Sequence, residues 1–374
     1  MAGPLTGAER VPLELLRELV QLDRDSQYSL YLGEAAVSLV DFRAPNLTLR
    51  PYPDAWQKPV PNILWHQGRL PWLLRAHRVD VLFVAHNRVP LWKTCGQVAL
   101  LHDLAEFHVG RKYDAARGLY RRLALGGGVR RADWVVTVSE SAKADIQTFL
   151  NVPAHKIAVI PNALLAELGG ASIDPLAARG FLTARYHLPA QYVLYVGALE
   201  HPNKNLVRLL EAFQLARERV GFPHHLVLVG PKRWRPEVVF NAIGRLGLEP
   251  CVHWLGYVPF ADLRQLYAAA DLFVYVSLWE GFGLPVLEAM AHGVPVIASN
   301  TSSLPEVAGE AAVLVEPTNT EEIAAAIGRV VTDQALQEHL RRAGPARANR
   351  FNWKSSAERL VGVFRAVHAE AERA

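Results

Sequence analysis

Sulfur is scarce in this chain, with two cysteines, Cys95 and Cys251, and two methionines among 374 residues. The cysteines lie far apart and outside any C-x-x-C spacing, which excludes a disulfide framework and a zinc knuckle and suits a reducing cytoplasm. Long apolar runs are absent too. No stretch approaches the ~18 residues of a membrane span, and the opening MAGPLTGAERVPLELL has neither the basic start nor the continuous apolar centre of a signal peptide. The expectation is a soluble or peripheral protein. Nor is there an excess of one charge: 40 Lys and Arg face 36 Asp and Glu, and a net +4 names no partner by itself. The 14 histidines form no H-x-x-x-H or mixed His/Cys spacing, so no metal site is expected. Gly126-Gly127-Gly128 follows a helical stretch rather than a strand, no G-x-G-x-x-G follows the first strand of either half, and there is no nucleophile elbow. Those absences argue against a nicotinamide dehydrogenase and a serine hydrolase.

What is present is an ordinary globular composition, 51% hydrophobic and 20% charged, over a length that suggests two domains. Apolar runs of strand length alternate with helical patterns. They predict strands at 28–32, 79–85, 97–101, 134–139 and 156–160, and again at 192–197, 225–230, 252–255, 272–276, 294–298 and 312–315. Such alternation implies largely parallel sheets covered on both faces. Between the two series, residues 162–190 contain Gly169, Gly170, Pro175, Gly180 and Pro189 with weak periodicity and read as a linker.

Charge is uneven even though the total is small. Between Arg111 and Arg131 seven basic residues stand against the single acid Asp114, interleaved with Tyr113, Leu119, Tyr120, Leu123 and Leu125. This reads either as a solvated helix face with an apolar stripe on the core, or as a surface for an anionic bilayer or phosphate-bearing lipid. No nucleic-acid-binding motif accompanies the charge, so nucleic acid is not an expected partner.

The most informative segment is LWEGFGLPVLEAMAHGVPVIAS, residues 278–299. It follows the strand-like DLFVYV at 271–276 and runs into a helical pattern. Gly281 and Gly283 permit backbone shapes that a Cβ blocks, and Pro285 suits a first helical turn, where a missing N–H costs nothing. A helix end of this kind carries about half a positive charge and suits an anion such as a diphosphate. Glu280 falls on the loop and Glu288 about one turn into the helix, so both carboxylates can accept hydrogen bonds from sugar or ribose hydroxyls. From spacing alone, the same residues equally describe a plain helix N-terminus over a buried strand.

This segment resembles the E-x7-E signature of the retaining family 4 glycosyltransferases, also called glycosyl transferases group 1. The likeness runs in order through VLYVGALEHPNKNLVRLLEAF (193–213), LVGPKRW (228–234), LGYVP (255–259) and SSLPEVAG (302–309), and in the first half through LLHDLAEF (100–107), ADWVVTVSESAKADI (132–146) and VIPNA (159–163). The resemblance implies an α/β chain of two doubly wound Rossmann-like domains facing a cleft, the GT-B fold. The expected division is an acceptor-side domain at 1–165, a linker at about 163–190, a donor-nucleotide domain at 186–352, and a C-terminal helix at 353–374 crossing back to the first domain. The family usually opens with a strand and a glycine-bearing loop, whereas this chain begins almost at the loop. Its N-terminal sheet is expected to lack that first strand, and Gly7 to be a remnant of the loop.

Residue by residue, the resemblance places Lys204 at the donor diphosphate, Lys232 near the nucleotide base, Glu280 with Gly281, Phe282, Gly283, Leu284 and Pro285 around the sugar, and Glu288 at the ribose. His102 and Asp103 fall on the acceptor side, where His102 touches the transferred sugar, and His102, Lys204 and Glu280 are the expected catalytic set. Asn203 and Ala198 stand where some members carry arginine, so part of the usual positive clamp is absent. Asp23-Arg24-Asp25 has the letters of the metal-binding D-x-D of other glycosyltransferases but sits in a polar turn. The implied activity is retaining transfer of a hexose, first mannose from GDP-mannose and second glucose from UDP-glucose, to a hydroxyl of a glycan or lipid-linked glycan. The implied enzyme uses no metal or cofactor and is cytoplasmic, with the basic 111–131 stretch offering peripheral contact with the inner membrane face. A non-catalytic sugar-nucleotide or glycan-binding protein, or a sugar-nucleotide epimerase, fits the same residues.

Overall fold

The computed structural model describes residues 7–85, 88–109 and 127–373. The chain divides into two compact units, Met1–Leu104 with Tyr113–Asn162 and Asn352–Ala374, and Ala105–Lys112 with Ala163–Phe351.

In the first unit, β3 (Val81–Val84), β4 (Gly96–Leu101), β5 (Trp134–Thr137) and β6 (Ile157–Val159) form a four-stranded parallel sheet in chain order. Strand β4 is buried at every position, which explains its unbroken apolar run: a parallel strand covered on both faces has no side turned to water. A separate parallel pair, β1 (Tyr28–Gly33) and β2 (Leu47–Tyr52), runs from Tyr28 opposite Leu47 to Gly33 opposite Tyr52. The first described element is the helix Gly7–Leu22, and both β1–β2 and the four-stranded sheet follow it in the chain. Strand β2 is absent from the sequence prediction. None of its six residues is fully buried, and Arg50 and Pro51 break the apolar pattern that marks the central strands.

The helix Gly7–Leu22 buries Val11, Leu15, Leu19 and Val20, the one-face spacing of an amphipathic helix, and packs on the C-terminal helix Trp353–Arg373. That last helix buries Leu360, Val361, Val363 and Val367 in this unit. Phe364 meets Phe83 of β3 edge-on at 5.8 Å, and Ser356 Oγ donates to the Pro161 carbonyl at 2.6 Å.

The second unit holds a six-stranded, all-parallel sheet of β7 (Tyr192–Val196), β8 (His225–Val229), β9 (Val252–Gly256), β10 (Leu272–Tyr275), β11 (Val296–Ser299) and β12 (Val313–Val315). Its spatial order is β12-β11-β10-β7-β8-β9, the doubly wound arrangement. From β7 the chain first adds strands on one side and then returns to add the rest on the other. The reversal therefore falls between β7 and β10, which pair directly through Leu272 opposite Val193 and Phe273 opposite Leu194. In open α/β sheets a ligand crevice forms beyond the carboxyl ends of the strands at this switch point.

Candidate functional site

The loops leaving β7 and β10 meet at that switch point and are stapled together. The Asn203 carbonyl accepts from Leu278 N at 2.8 Å, and the buried Asn205 side chain donates to the carbonyls of Val276 at 2.9 Å and Pro317 at 2.7 Å. A third loop, after β11, fixes Glu280: its N–H donates to Ser302 Oγ at 3.1 Å and its carbonyl accepts from Ser303 Oγ at 3.0 Å.

Lys204 and Glu280, 76 residues apart, meet there. The Lys204 ammonium donates to Glu280 Oε1 at 2.6 Å and to the Tyr275 hydroxyl at 3.0 Å. Burial opposes the charge on Lys204, but the attraction of Glu280 and neighbouring groups outweighs it and holds the pKa above the usual lysine range. Lys204 is thus a permanent cation. An ammonium has three hydrogens, and among the described residues two are taken, by Glu280 and Tyr275, which leaves one for an anion. Tyr275 in turn stacks between Tyr195 and Phe273, with centroids 5.7 and 5.9 Å away, which gives the pair a rigid floor.

The helix Leu284–Ala291 starts beside Glu280 with Gly283 as its cap and Pro285 in its first turn. Gly283 has φ +100, and a Cβ there would lie 2.5 Å from Leu304 Cδ2, so only glycine fits. Phe282 is buried edge-on against Phe351, with centroids 5.6 Å apart. Glu288, one turn in, is 6% exposed and its Oε2 accepts from the Tyr267 hydroxyl at 2.7 Å. Burial pushes its carboxyl up to about 7, against the downward pull of the Tyr267 hydrogen bond. Its other oxygen has no hydrogen-bond partner among the described residues.

Lys232, just past β8, holds its Nζ 4.4 Å from the ring centres of both Phe240 and Trp254, while Trp254 Nε1 donates to the Gly230 carbonyl at 3.0 Å. The loops after β7 and β8 run tightly together here. A Cβ on Gly230, which has φ +138, would lie 2.0 Å from the Gly197 carbonyl oxygen.

The second unit therefore assembles Lys204, Glu280, Gly281, Phe282, Gly283, Leu284, Pro285 and Glu288 around one strand switch, with Lys232 on the adjoining strand end. The remaining sequence candidates belong to the first unit. His102 and Asp103 directly follow β4, and Gly7 opens the first helix. Of the basic stretch, residues 110–126 lie outside the described residues; beyond them, Arg130 Nε donates to the Leu150 carbonyl at 2.7 Å. Asp23 of the D-x-D letters accepts from the Tyr28 hydroxyl at 3.0 Å, a structural use. Among the described residues no three His, Cys, Asp or Glu side chains cluster as a metal would require. Sequence reasoning missed Tyr267, Tyr275, Ser302 and Ser303. The serines lie in the SSLPEVAG motif, which marked the place without giving the hydrogen bonds.

Residues 5–165 match the family described as Glycosyltransferase Family 4, and residues 190–333 the family described as Glycosyl transferases group 1. The O-antigen chain mannosyltransferase B of Escherichia coli is 32% identical over 97% of this chain and 96% of its own length. A serotype-specific mannosyltransferase WbdA of the same species is 30% identical over 74% of this chain, which spans 34% of that longer protein. Among solved structures, HepE of Anabaena, in complex with UDP and glucose, superposes with a TM-score of 0.73 at 20% identity, covering 98% of each chain, a likeness of fold.

Proposed function

We infer the reaction from one premise: this chain belongs to the family 4 (group 1) glycosyltransferases. The reading proposed is retaining transfer of mannose from GDP-mannose to a hydroxyl of a glycan or lipid-linked glycan. Support for mannose comes from the E. coli mannosyltransferase that matches almost end to end. UDP-glucose is the second candidate donor, since HepE, of the same fold, holds UDP and glucose. The free thiols of Cys95 and Cys251 suit a cytoplasmic enzyme.

The observation that carries the reading is the buried Lys204 cation, oriented by Glu280 and Tyr275 with one hydrogen to spare, beside a helix N-terminus. A departing nucleoside diphosphate needs this: as the bond from the sugar C1 to the phosphate oxygen breaks, its electron pair leaves with the diphosphate. The acceptor oxygen bonds to C1 from the same face, and its proton passes to the departing phosphate oxygen. Lys204 and the helix end then do the work of a cation, so the scheme uses no metal or cofactor. Glu280 and the Gly283 backbone hold the sugar on the loop formed by Gly281, Phe282, Leu284 and Pro285. Glu288 offers its unengaged oxygen to the ribose, and Lys232 lies near the base. His102 and Asp103 serve the transferred sugar and the acceptor, with Gly7 on the acceptor side.

A panel of sugar nucleotides in a thermal-shift assay, followed by NMR of the product linkage, tests this. GDP-mannose should raise Tm most, and the product should keep the α configuration of the donor. A β product overturns retention. A panel in which nothing raises Tm, or nucleotide affinity unchanged by Lys204→Ala and Glu288→Ala, overturns the donor site.

A further inference from the structure

The loop that carries Lys204, residues 197–205, buries two asparagines two positions apart, and the fold accounts for only one of them. Asn205 is 5% exposed and fully used: its amide donates to the Val276 and Pro317 carbonyls, and its Oδ1 accepts from the Arg208 guanidinium at 2.9 Å. Asn203 is also 5% exposed, yet its Oδ1 has no hydrogen-bond partner among the described residues. Folding has taken that oxygen out of water without replacing the lost hydrogen bond, which is costly and calls for a reason. Holding the loop in place is not that reason. The Asn203 backbone carbonyl already accepts from Leu278 N, so the staple between the two loops forms without the side chain.

The place of Asn203 in the crevice supplies one. It directly precedes Lys204, whose remaining hydrogen suits a diphosphate, and its carbonyl is bonded to the loop that leads to Glu280. Some members of the family carry arginine at this position. A guanidinium has donors alone and suits an anion, whereas a side-chain amide adds an acceptor oxygen. The ionised diphosphate has no hydrogen to give that oxygen, and in the proposed scheme Glu288 and Lys232 serve the ribose and the base. The hydroxyls of the sugar beside the diphosphate remain. We propose that Asn203 is a specificity-determining residue, whose amide oxygen accepts a hydrogen bond from a hydroxyl of the transferred hexose. The inference rests on the donor-site reading above and deepens it. A site built around such a bond rejects a donor that lacks the hydroxyl, because its own buried oxygen is then left unpaired.

The test compares kcat/KM for GDP-mannose with that for its 2-, 3-, 4- and 6-deoxy analogues, in the wild type and in Asn203→Ala, alongside titration with GDP alone. In Asn203→Ala the discrimination against one analogue should shrink about tenfold to a hundredfold, the worth of one hydrogen bond to a buried neutral oxygen. Discrimination against the other three should stay, and GDP should bind both proteins equally. Asn203→Leu, of nearly the same shape, should lose the same discrimination and keep the wild-type Tm, since it deletes no hydrogen bond of that oxygen in the free protein. Asn205→Leu, which deletes three, should lower Tm. The proposal falls if all four discrimination ratios survive in Asn203→Ala, or if GDP affinity drops as far as GDP-mannose affinity, which would put the amide on the nucleotide. It falls too if Asn203→Leu lowers Tm as Asn205→Leu does, which would make the amide structural. Failure of the donor site looks different: GDP then raises the Tm of neither wild type nor variant, and the proposal falls with that reading.

Discussion

Lys204 and Glu280 are a buried pair whose members need each other. Removing the cation alone, as in Lys204→Met, leaves a carboxylate that is only 12% exposed without its partner, a change that costs about 3–5 kcal/mol. Transfer activity should fall about a hundredfold to a thousandfold, the scale set by losing one donor to a developing anion. Lys204→Met with Glu280→Gln should recover most of the stability in urea unfolding while activity stays lost. A double variant as unstable as the single one would deny the coupling. Glu288 makes a different prediction because its folded pKa is raised. Below its ordinary 4.5 the carboxyl is protonated in both folded and unfolded chains and costs nothing. As pH rises toward about 7 only the unfolded chain ionises, so wild-type stability declines across this window and levels off above it. Glutamine can still accept from Tyr267 and has no such titration. Glu288→Gln should therefore match the wild type below 4.5 and exceed it by about 3 kcal/mol above 7, read from urea unfolding at a series of pH values.

The loops beyond the strands depend on backbone approaches that side chains forbid. Gly230 and Gly247 both have positive φ, yet a Cβ at Gly230 would meet the Gly197 carbonyl oxygen at 2.0 Å, whereas one at Gly247 meets nothing within 4 Å. Gly247→Ala should cost only the left-handed strain of about 1–2 kcal/mol. Gly230→Ala must also part the ends of β7 and β8, adding about 1–3 kcal/mol and displacing Lys204 from the strand switch, so nucleotide affinity should drop along with Tm. Equal effects of the two substitutions would show that the approach is not needed. Elements of this kind were unevenly legible. Strands β4, β7, β8 and β10 could be read from sequence because both faces are covered and each is an apolar run. Strand β2 was hidden by its half-exposed surface and its arginine and proline. The loop Glu280–Pro285 was readable from its glycines and proline, since those residues answer to local geometry. The contact of Glu280 with Lys204, the Tyr275 floor and the serine braces from the β11 loop depend on strand order, which no local pattern contains. The burial of Glu288 was equally invisible, because the Tyr267 hydroxyl reaches its carboxylate from another element, the helix Phe260–Ala269.

At the scale of the whole molecule, the chain builds most of the first unit, then all but a short segment of the second, and returns to finish the first with Trp353–Arg373. The last helix is a structural member of the unit it rejoins. Leu360, Val361, Val363 and Val367 are buried there, and each is worth about 1.5–3 kcal/mol, about 6–12 kcal/mol together. A domain of this size is stable by only about 5–15 kcal/mol in total. A chain ending at Phe351 should therefore lose the cooperative unfolding of the first unit and expose its four-stranded sheet. The second unit has its own six-stranded core and carries Lys204, Glu280 and Glu288, so it should still unfold cooperatively and bind donor nucleotide. Calorimetry and nucleotide titration of the shortened chain would show one surviving transition that nucleotide still shifts, with no sugar transfer. If both transitions survive, the helix is dispensable to the first unit; if both are lost, the two units do not fold independently.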